Sequence, residues 1–138
     1  MGVKKVFICS PLKPTKPVTD EKWAEEFKEN LNVDRAASLY ALMDCAMPMA
    51  PHLYFPQVLD DDDACQREFG MYLGLEWLKE CDELWVIGRR VSEGMKKEIE
   101  AAKKLDIPVR HYVFKRTPEE RLLDAIVFPE IDFREMTM

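Results

Sequence analysis

The stretch CDELWVIGRRVSEGMKKEIEAAKKLDIPVRHYVF, residues 81–114, changes its hydrophobic pattern twice, and those changes decide the fold. Residues 81–88, CDELWVIG, are apolar at consecutive rather than alternate positions. A strand buried on both faces reads this way, and such strands form the centre of parallel sheets. Residues 94–104 mix small, apolar and charged side chains and are expected to be helical. Residues 107–114, IPVRHYVF, return to β-branched and aromatic side chains and read as the next strand.

The same alternation extends outward in both directions. Residues 4–10, KKVFICS, read as a first strand that ends in the proline-punctuated loop SPLKPTKP. Thr19 or Asp20 is placed to cap a helix running to about Cys45, with Trp23, Phe27 and Leu31, then Ala36, Leu39 and Met43, at helical spacing. MPMAPHLYF, 47–55, reads as a short buried strand leading into a loop. An acidic loop follows, then a helix to about residue 80. TPEERLLDAIV, with Pro118 at its start, is expected to be the last helix, and the tail FPEIDFREMTM either packs on a partner or frays. Residues 1–138 thus form one expected α/β domain, with a helix and tail over 116–138. Its core is a doubly wound, flavodoxin- or Rossmann-like parallel sheet of about five strands with helices on both faces.

Composition excludes several function classes. The net charge of −6 leaves no basic surplus for tracking phosphates, which argues against general nucleic-acid binding. Cys9, Cys45, Cys65 and Cys81 form no C-x-x-C pair and are expected to be buried or half-buried free thiols. His52 and His111 lie in distant segments, so no metal site is expected. No segment reads as a signal peptide or membrane span, and the expected location is the cytoplasm. Trp77, Leu78 and Trp85 are expected in the core, and Gly70 with Gly74 on a close helix contact, within the chain or across a dimer.

Ligands of doubly wound sheets bind beyond the carboxyl ends of the strands. That rule selects 9–17, 52–63, 88–98 and 114–117. A helix starting near Gly94 presents unpaired N–H groups that favour an anion. Ser92 either caps that helix or donates to a phosphate oxygen, and Glu98, four residues after Gly94, is either an exposed helix carboxylate or a group aimed at the ligand.

Two segments carry a family resemblance. VFICSPL (6–12) resembles the first strand and loop of nucleoside 2-deoxyribosyltransferases, and SEGMKKEIEAAKKLDIPV (92–109) resembles their nucleophile segment, with Gly94, Glu98, Ala102, Pro108 and Val109 fitting the pattern. Residues 49–95 look like a less characterised bacterial and phage branch, so the resemblance covers the chain to about residue 112. It implies a nucleoside 2-deoxyribosyltransferase-like domain, a small-molecule nucleoside or nucleotide as partner, no cofactor and a homodimer. Glu98 would attack the anomeric carbon in a retaining mechanism. Where the transferases carry aspartate six residues before the nucleophile, Ser92 matches the related deoxynucleoside 5′-monophosphate N-hydrolases, whose serine binds the phosphate.

Two positions depart from that pattern. Phe7 stands where the transferases carry a nucleophile-orienting tyrosine, and Gly74 where they carry a ribose-binding aspartate. Asp60 or Asp61 is the expected replacement, with His52, Tyr54 and Gln57 nearby and His52 suited to meet a base. Ser10 and Pro11 of the first loop, and Gly88, Arg89 and Met95 around the third, complete the expected binding set, although adjacent arginines such as Arg89 and Arg90 are ordinarily surface residues. Two functions compete: an N-glycoside hydrolase or transferase, favoured by Ser92, Gly94 and Glu98, and a non-catalytic nucleotide-binding protein, favoured by Phe7 and Gly74.

Overall fold

A computed structural model describes residues 2–13, 19–114 and 133–136. Its two central strands are β1 (Lys5–Cys9) and β3 (Glu83–Ile87), paired in parallel with Phe7 opposite Leu84 and Cys9 opposite Val86. Every residue of each strand after the first is buried, as consecutive apolar residues require. β2 (Met47–Met49) pairs in parallel with β1, and β4 (Val109–Phe114) with β3. β5 (Phe133–Met136) completes the order β2-β1-β3-β4-β5 and runs antiparallel to β4. The sheet is therefore four parallel strands with an antiparallel edge, not five parallel ones. Part of the tail expected to meet a partner or fray instead pairs with the backbone groups that β4 would otherwise leave open.

Helices cover both faces because successive side chains of a strand point opposite ways. Val6, Ile8, Trp85, Ile87 and Tyr112 pack with Ala37 and Ala41 of α1 (Asp20–Met43). On the other face Phe7, Cys9, Leu84 and Val86 pack with Leu78 of α3 (Ala64–Lys79) and with Met95 and Ala102 of α4 (Glu93–Lys104). Thr19 caps α1, accepting from the Lys22 N–H at 3.2 Å. The buried stripe of α1 is Asp34, Ala37, Ser38 and Ala41, whereas Leu39 and Met43 are exposed. Small residues on that stripe let the helix lie close to the sheet, and Trp23, Phe27, Leu31 and Ala36 are half-buried beside it.

Residues 50–59 also differ from expectation. Only Met47–Met49 is strand, and Met47 is exposed. The chain then folds into α2 (Pro51–Tyr54) and a 3-10 turn (Phe55–Gln57), with a proline in the first turn of each. Proline lacks the N–H that a strand needs and a first helical turn does not. Asp63, last of the four aspartates, caps α3 by accepting from the Gln66 N–H at 3.0 Å. A Cβ on Gly70 would lie 3.3 Å from Leu59 Cδ1, tighter than an ordinary contact, so Gly70 makes room for this chain's own 51–59 segment, whereas one on Gly74 would meet Pro51 Cβ at an ordinary 3.9 Å.

Leu78 and Trp85 are buried, while Trp77 is half-buried against Tyr54 and Phe55. Cys9 and Cys81 are buried as expected. Cys45, just past α1, and Cys65, in the first turn of α3, are exposed. The helix expected from Pro118, the segment 14–17 and residues 115–117 lie outside the described residues. Among the described residues no helix is long and apolar enough to cross a membrane.

Candidate functional site

The order β2-β1-β3 reverses between β1 and β3, so the chains leaving these two strands diverge and open a crevice. Gly88, at φ +93°, turns the chain out of β3, and its carbonyl meets the imidazole of His111. Ser92 then caps α4: its hydroxyl accepts from the Met95 N–H at 3.3 Å, while its own N–H points to the Met95 sulfur at 3.4 Å. The Ser92 hydroxyl proton stays available to a ligand, and the N–H groups at the start of α4 precede its first intrahelical bond.

From that start the helix turns Met95, Glu98 and Ala102 toward the sheet. Glu98 is 4% exposed, so it is not a solvated surface carboxylate. The Cys9 thiol, which donates to the Met95 carbonyl at 3.8 Å, also lies against the Glu98 carboxylate. Burial pushes the Glu98 carboxyl up to about 7; the Cys9 thiol pulls it down and the nearby Asp34 pushes it further up. Burial likewise holds the Cys9 thiol well above its ordinary value, followed by the Glu98 carboxylate, so Cys9 acts here as a donor.

Glu98 forms part of the wall of a cavity of about 720 Å³. Leu12 and Lys13 close it from the β1 loop, Pro51, His52, Phe55 and Pro56 from α2 and the following turn, and Arg67, Gly70, Met71 and Gly74 from α3. Arg90, Ser92, Gly94, Met95 and Lys97 complete it around the start of α4. Asp61 also reaches the wall, 3.4 Å from Lys13 Nζ.

Directly behind the wall lies a second carboxylate, absent from the expected set. Asp34 is 1% exposed and accepts from the Ser10 hydroxyl at 3.2 Å. Its Oδ2 lies 4.0 Å from His52 Nδ1, and among the described residues no lysine or arginine is within ion-pair distance of it. Burial pushes its carboxyl up to about 7, against the Ser10 hydroxyl. Burial lowers the His52 imidazole to about 4, with Asp61 and the Ser10 backbone acting the other way. The ring is a quarter exposed on its cavity side, while its Nδ1 is buried without a hydrogen-bond partner.

Of the expected residues, His52, Asp61, Ser92, Gly94, Met95 and Glu98 meet at the cavity. The others do not reach its wall. Ser10 is buried behind it on Asp34, and Pro11 is half-buried in the same loop. Tyr54 is exposed and stacks on Trp77, and the Gln57 amide turns back to the Leu53 carbonyl. Asp60 is spent on its own turn, accepting from the Asp62 N–H at 3.0 Å. Gly88 lies in the strand exit, and Arg89 is exposed. Asp34 had one signal in the sequence: it stands three, four and seven residues before Ala37, Ser38 and Ala41, on the small-residue stripe.

A family model described as a domain of unknown function (DUF7768) matches residues 4–112. The chain belongs to this family. The DUF7768 match runs from β1 into β4 and includes every cavity residue named above. No curated protein matches the sequence. Among solved structures, the fold is similar to that of a 2-deoxyribosyltransferase from the psychrotolerant bacterium Bacillus psychrosaccharolyticus, with a TM-score of 0.50, 15% identity, and coverage of 96% of this chain and 99% of that one. At that identity the likeness is one of fold. Among the described residues no group of three or more His, Cys, Asp or Glu side chains is arranged to hold a metal ion.

Proposed function

We propose that the protein cleaves the N-glycosidic bond of a (deoxy)nucleoside or nucleoside 5′-monophosphate, with Glu98 as nucleophile. The observation that carries this reading is Glu98 itself, a buried carboxylate without a cationic partner among the described residues, on the wall of a cavity at the switch point of the sheet. A carboxylate held in such a place is strained while alone, and an adjacent carbon that develops positive charge relieves it. Attack on the anomeric carbon provides that charge through an oxocarbenium-like transition state. The base departs, a glycosyl ester forms on Glu98, and water or a second base releases the sugar.

The rest of the cavity suits such a substrate. Ser92, the start of α4 and the guanidinium groups of Arg67 and Arg90 offer donors to a phosphate. Asp61, on the wall, is the better placed of the two candidate aspartates for a sugar hydroxyl, since Asp60 is exposed and serves its turn. The fold similarity to a 2-deoxyribosyltransferase agrees with the reading.

A non-catalytic nucleotide-binding protein is the second reading, favoured by Phe7, buried in the core without a hydroxyl, and by Gly74, which offers the cavity no polar side chain. The two separate in one experiment. A panel of nucleosides and 5′-monophosphates is incubated with the protein and released base is measured by chromatography. The enzyme reading expects release that Glu98→Gln abolishes while ligand-induced thermal stabilisation persists. Stabilisation without release by the wild type establishes the binder, and release surviving Glu98→Gln removes Glu98 from the mechanism.

A further inference from the structure

The fold gives no reason for a carboxylate at residue 34. Asp34 begins the buried stripe of α1, one turn before the small residues Ala37 and Ser38, where an apolar side chain would cost less. Its neighbours explain it no better as a structural hydrogen bond. The Ser10 hydroxyl serves Oδ2, but Asp34 Oδ1 and His52 Nδ1 are both buried without partners, and Nδ1 stands 4.0 Å from Oδ2. Unpaired buried polar atoms are rare in folded proteins and call for an explanation. The Asp34 carboxylate and the His52 ring thus stand side by side, Oδ2 toward Nδ1, and the ring forms part of the wall that carries Glu98.

We propose that Asp34 and His52 form a carboxyl–imidazole pair that delivers a proton to the base as it leaves the sugar. This role rests on the reading of Glu98 as nucleophile. A nucleobase leaving as an anion is a poor leaving group, and protonation as the bond breaks removes that barrier. Glu98 cannot supply the proton, because its oxygen forms the new bond to the anomeric carbon. Of the other carboxylates on the wall, Asp61 is held by Lys13, Glu93 by Lys96 at 3.1 Å, and Glu68 is exposed on α3; a carboxylate in water keeps no proton at neutral pH. His52 presents its ring to the cavity, and a buried acid stands behind it.

The transfer balances as follows. Asp34 gives its carboxyl proton to His52 Nδ1 while Nε2–H gives its proton to the base, which keeps the electron pair of the broken C–N bond. Asp34 is left as a carboxylate accepting the Ser10 hydroxyl. In the second half the attacking water returns a proton to Nε2, Nδ1 returns one to Asp34, and the Glu98 carboxylate departs from the sugar. The pairing assigns the resting tautomer, with the proton on Nε2. A carboxyl raised to about 7 beside an imidazole lowered to about 4 agrees with a proton resting on Asp34. Asp61, the Ser10 backbone, Cys9 and Glu98 are the other groups facing the pair. The 4.0 Å gap must close by about 1 Å, as hydrogen bonds of unliganded sites commonly do when the substrate binds.

Two leaving groups test the proposal. A natural nucleoside or 5′-monophosphate needs the proton, whereas a 4-nitrophenyl 2-deoxyriboside releases a stable phenolate without one. Asp34→Asn and His52→Gln should each lose about 10²- to 10⁴-fold in kcat on the natural substrate and less than about tenfold on the nitrophenyl one. Glu98→Gln should lose both. Equal losses on the two substrates overturn the proton-delivery role and leave Glu98 standing; a wild type inert toward both sinks the Glu98 reading and the proposal with it. A second measurement needs no turnover. In ¹⁵N spectra His52, one of two histidines in the chain, should change from the Nε2–H to the Nδ1–H tautomer as Asp34 ionises near pH 7, and Asp34→Asn should abolish that change. A tautomer constant in the wild type from pH 6 to pH 8 refutes the pair.

Discussion

Replacing Asp34 with asparagine should stabilise this protein, by an amount that depends on pH. Burial lifts the Asp34 carboxyl from 3.8 to about 7, so the folded chain keeps a proton that the unfolded chain has already lost. Below about pH 4 both states are protonated and the residue carries no penalty. As pH rises from there to about 7, stability falls by about 1.4 kcal/mol per pH unit, and above 7 the loss is complete at about 4 kcal/mol. Relaxation around the ionised group and water entering from the cavity reduce this, and about 2 kcal/mol is a reasonable expectation. Asparagine keeps an oxygen for the Ser10 hydroxyl and removes the charge. The melting temperatures of the two proteins should therefore coincide near pH 4 and separate by about 6–10 °C at pH 8, at about 3–5 °C per kcal/mol for a chain of this size. Thermal and urea denaturation from pH 4 to pH 8 at constant ionic strength measure this directly. A difference that does not vary with pH, or a variant less stable at pH 8, refutes the claim that Asp34 is buried at the expense of stability.

Gly74→Ala should stabilise by roughly 0.5–1 kcal/mol, because the new Cβ meets Pro51 at an ordinary contact distance of 3.9 Å and the helix gains propensity; destabilisation in urea melts would show that α2 cannot give way. Ser92→Ala should lose about 1 kcal/mol with the cap and should weaken a 5′-monophosphate more than the matching nucleoside in calorimetry. Equal weakening of both ligands would leave Ser92 a cap alone. Base release from a natural substrate should peak near pH 7, rising as Glu98 ionises and falling as Asp34 loses the proton it delivers, with apparent values that belong to the coupled set. The nitrophenyl substrate should show the rising limb alone, and a falling limb on both substrates would count against Asp34.

The sequence by itself determined the central strand, the layering of helices on a sheet, and the spacing of Gly94 and Glu98 on one helix. Consecutive apolar residues in ELWVI are a local property of composition, and they were enough to place β3 at the centre; KVFIC read as a strand, and its pairing placed it beside β3. Helical geometry fixes the distance from Gly94 to Glu98, while packing of α4 on the sheet decided that Glu98 is buried and not solvated. Tertiary structure alone decided what stands opposite. Asp34, Ser10 and His52 lie 18 to 42 residues apart in the chain, and they meet because α1 packs on the sheet through Ala37 and Ala41 while Pro51 folds the chain into a helical turn beside it. Small residues and prolines carry little hydrophobic signal, so the large side chains gave the helical spacing of α1 while the stripe that holds the buried Asp34 went unseen. The acidic run shows the converse. Four successive aspartates look equivalent along the sequence, but turn geometry spends Asp60 on the Asp62 N–H, pairs Asp61 and Asp62 with Lys13, and makes Asp63 a helix cap. Which carboxylate faces the cavity is set by the backbone directions of three packed elements, and no local rule encodes those directions.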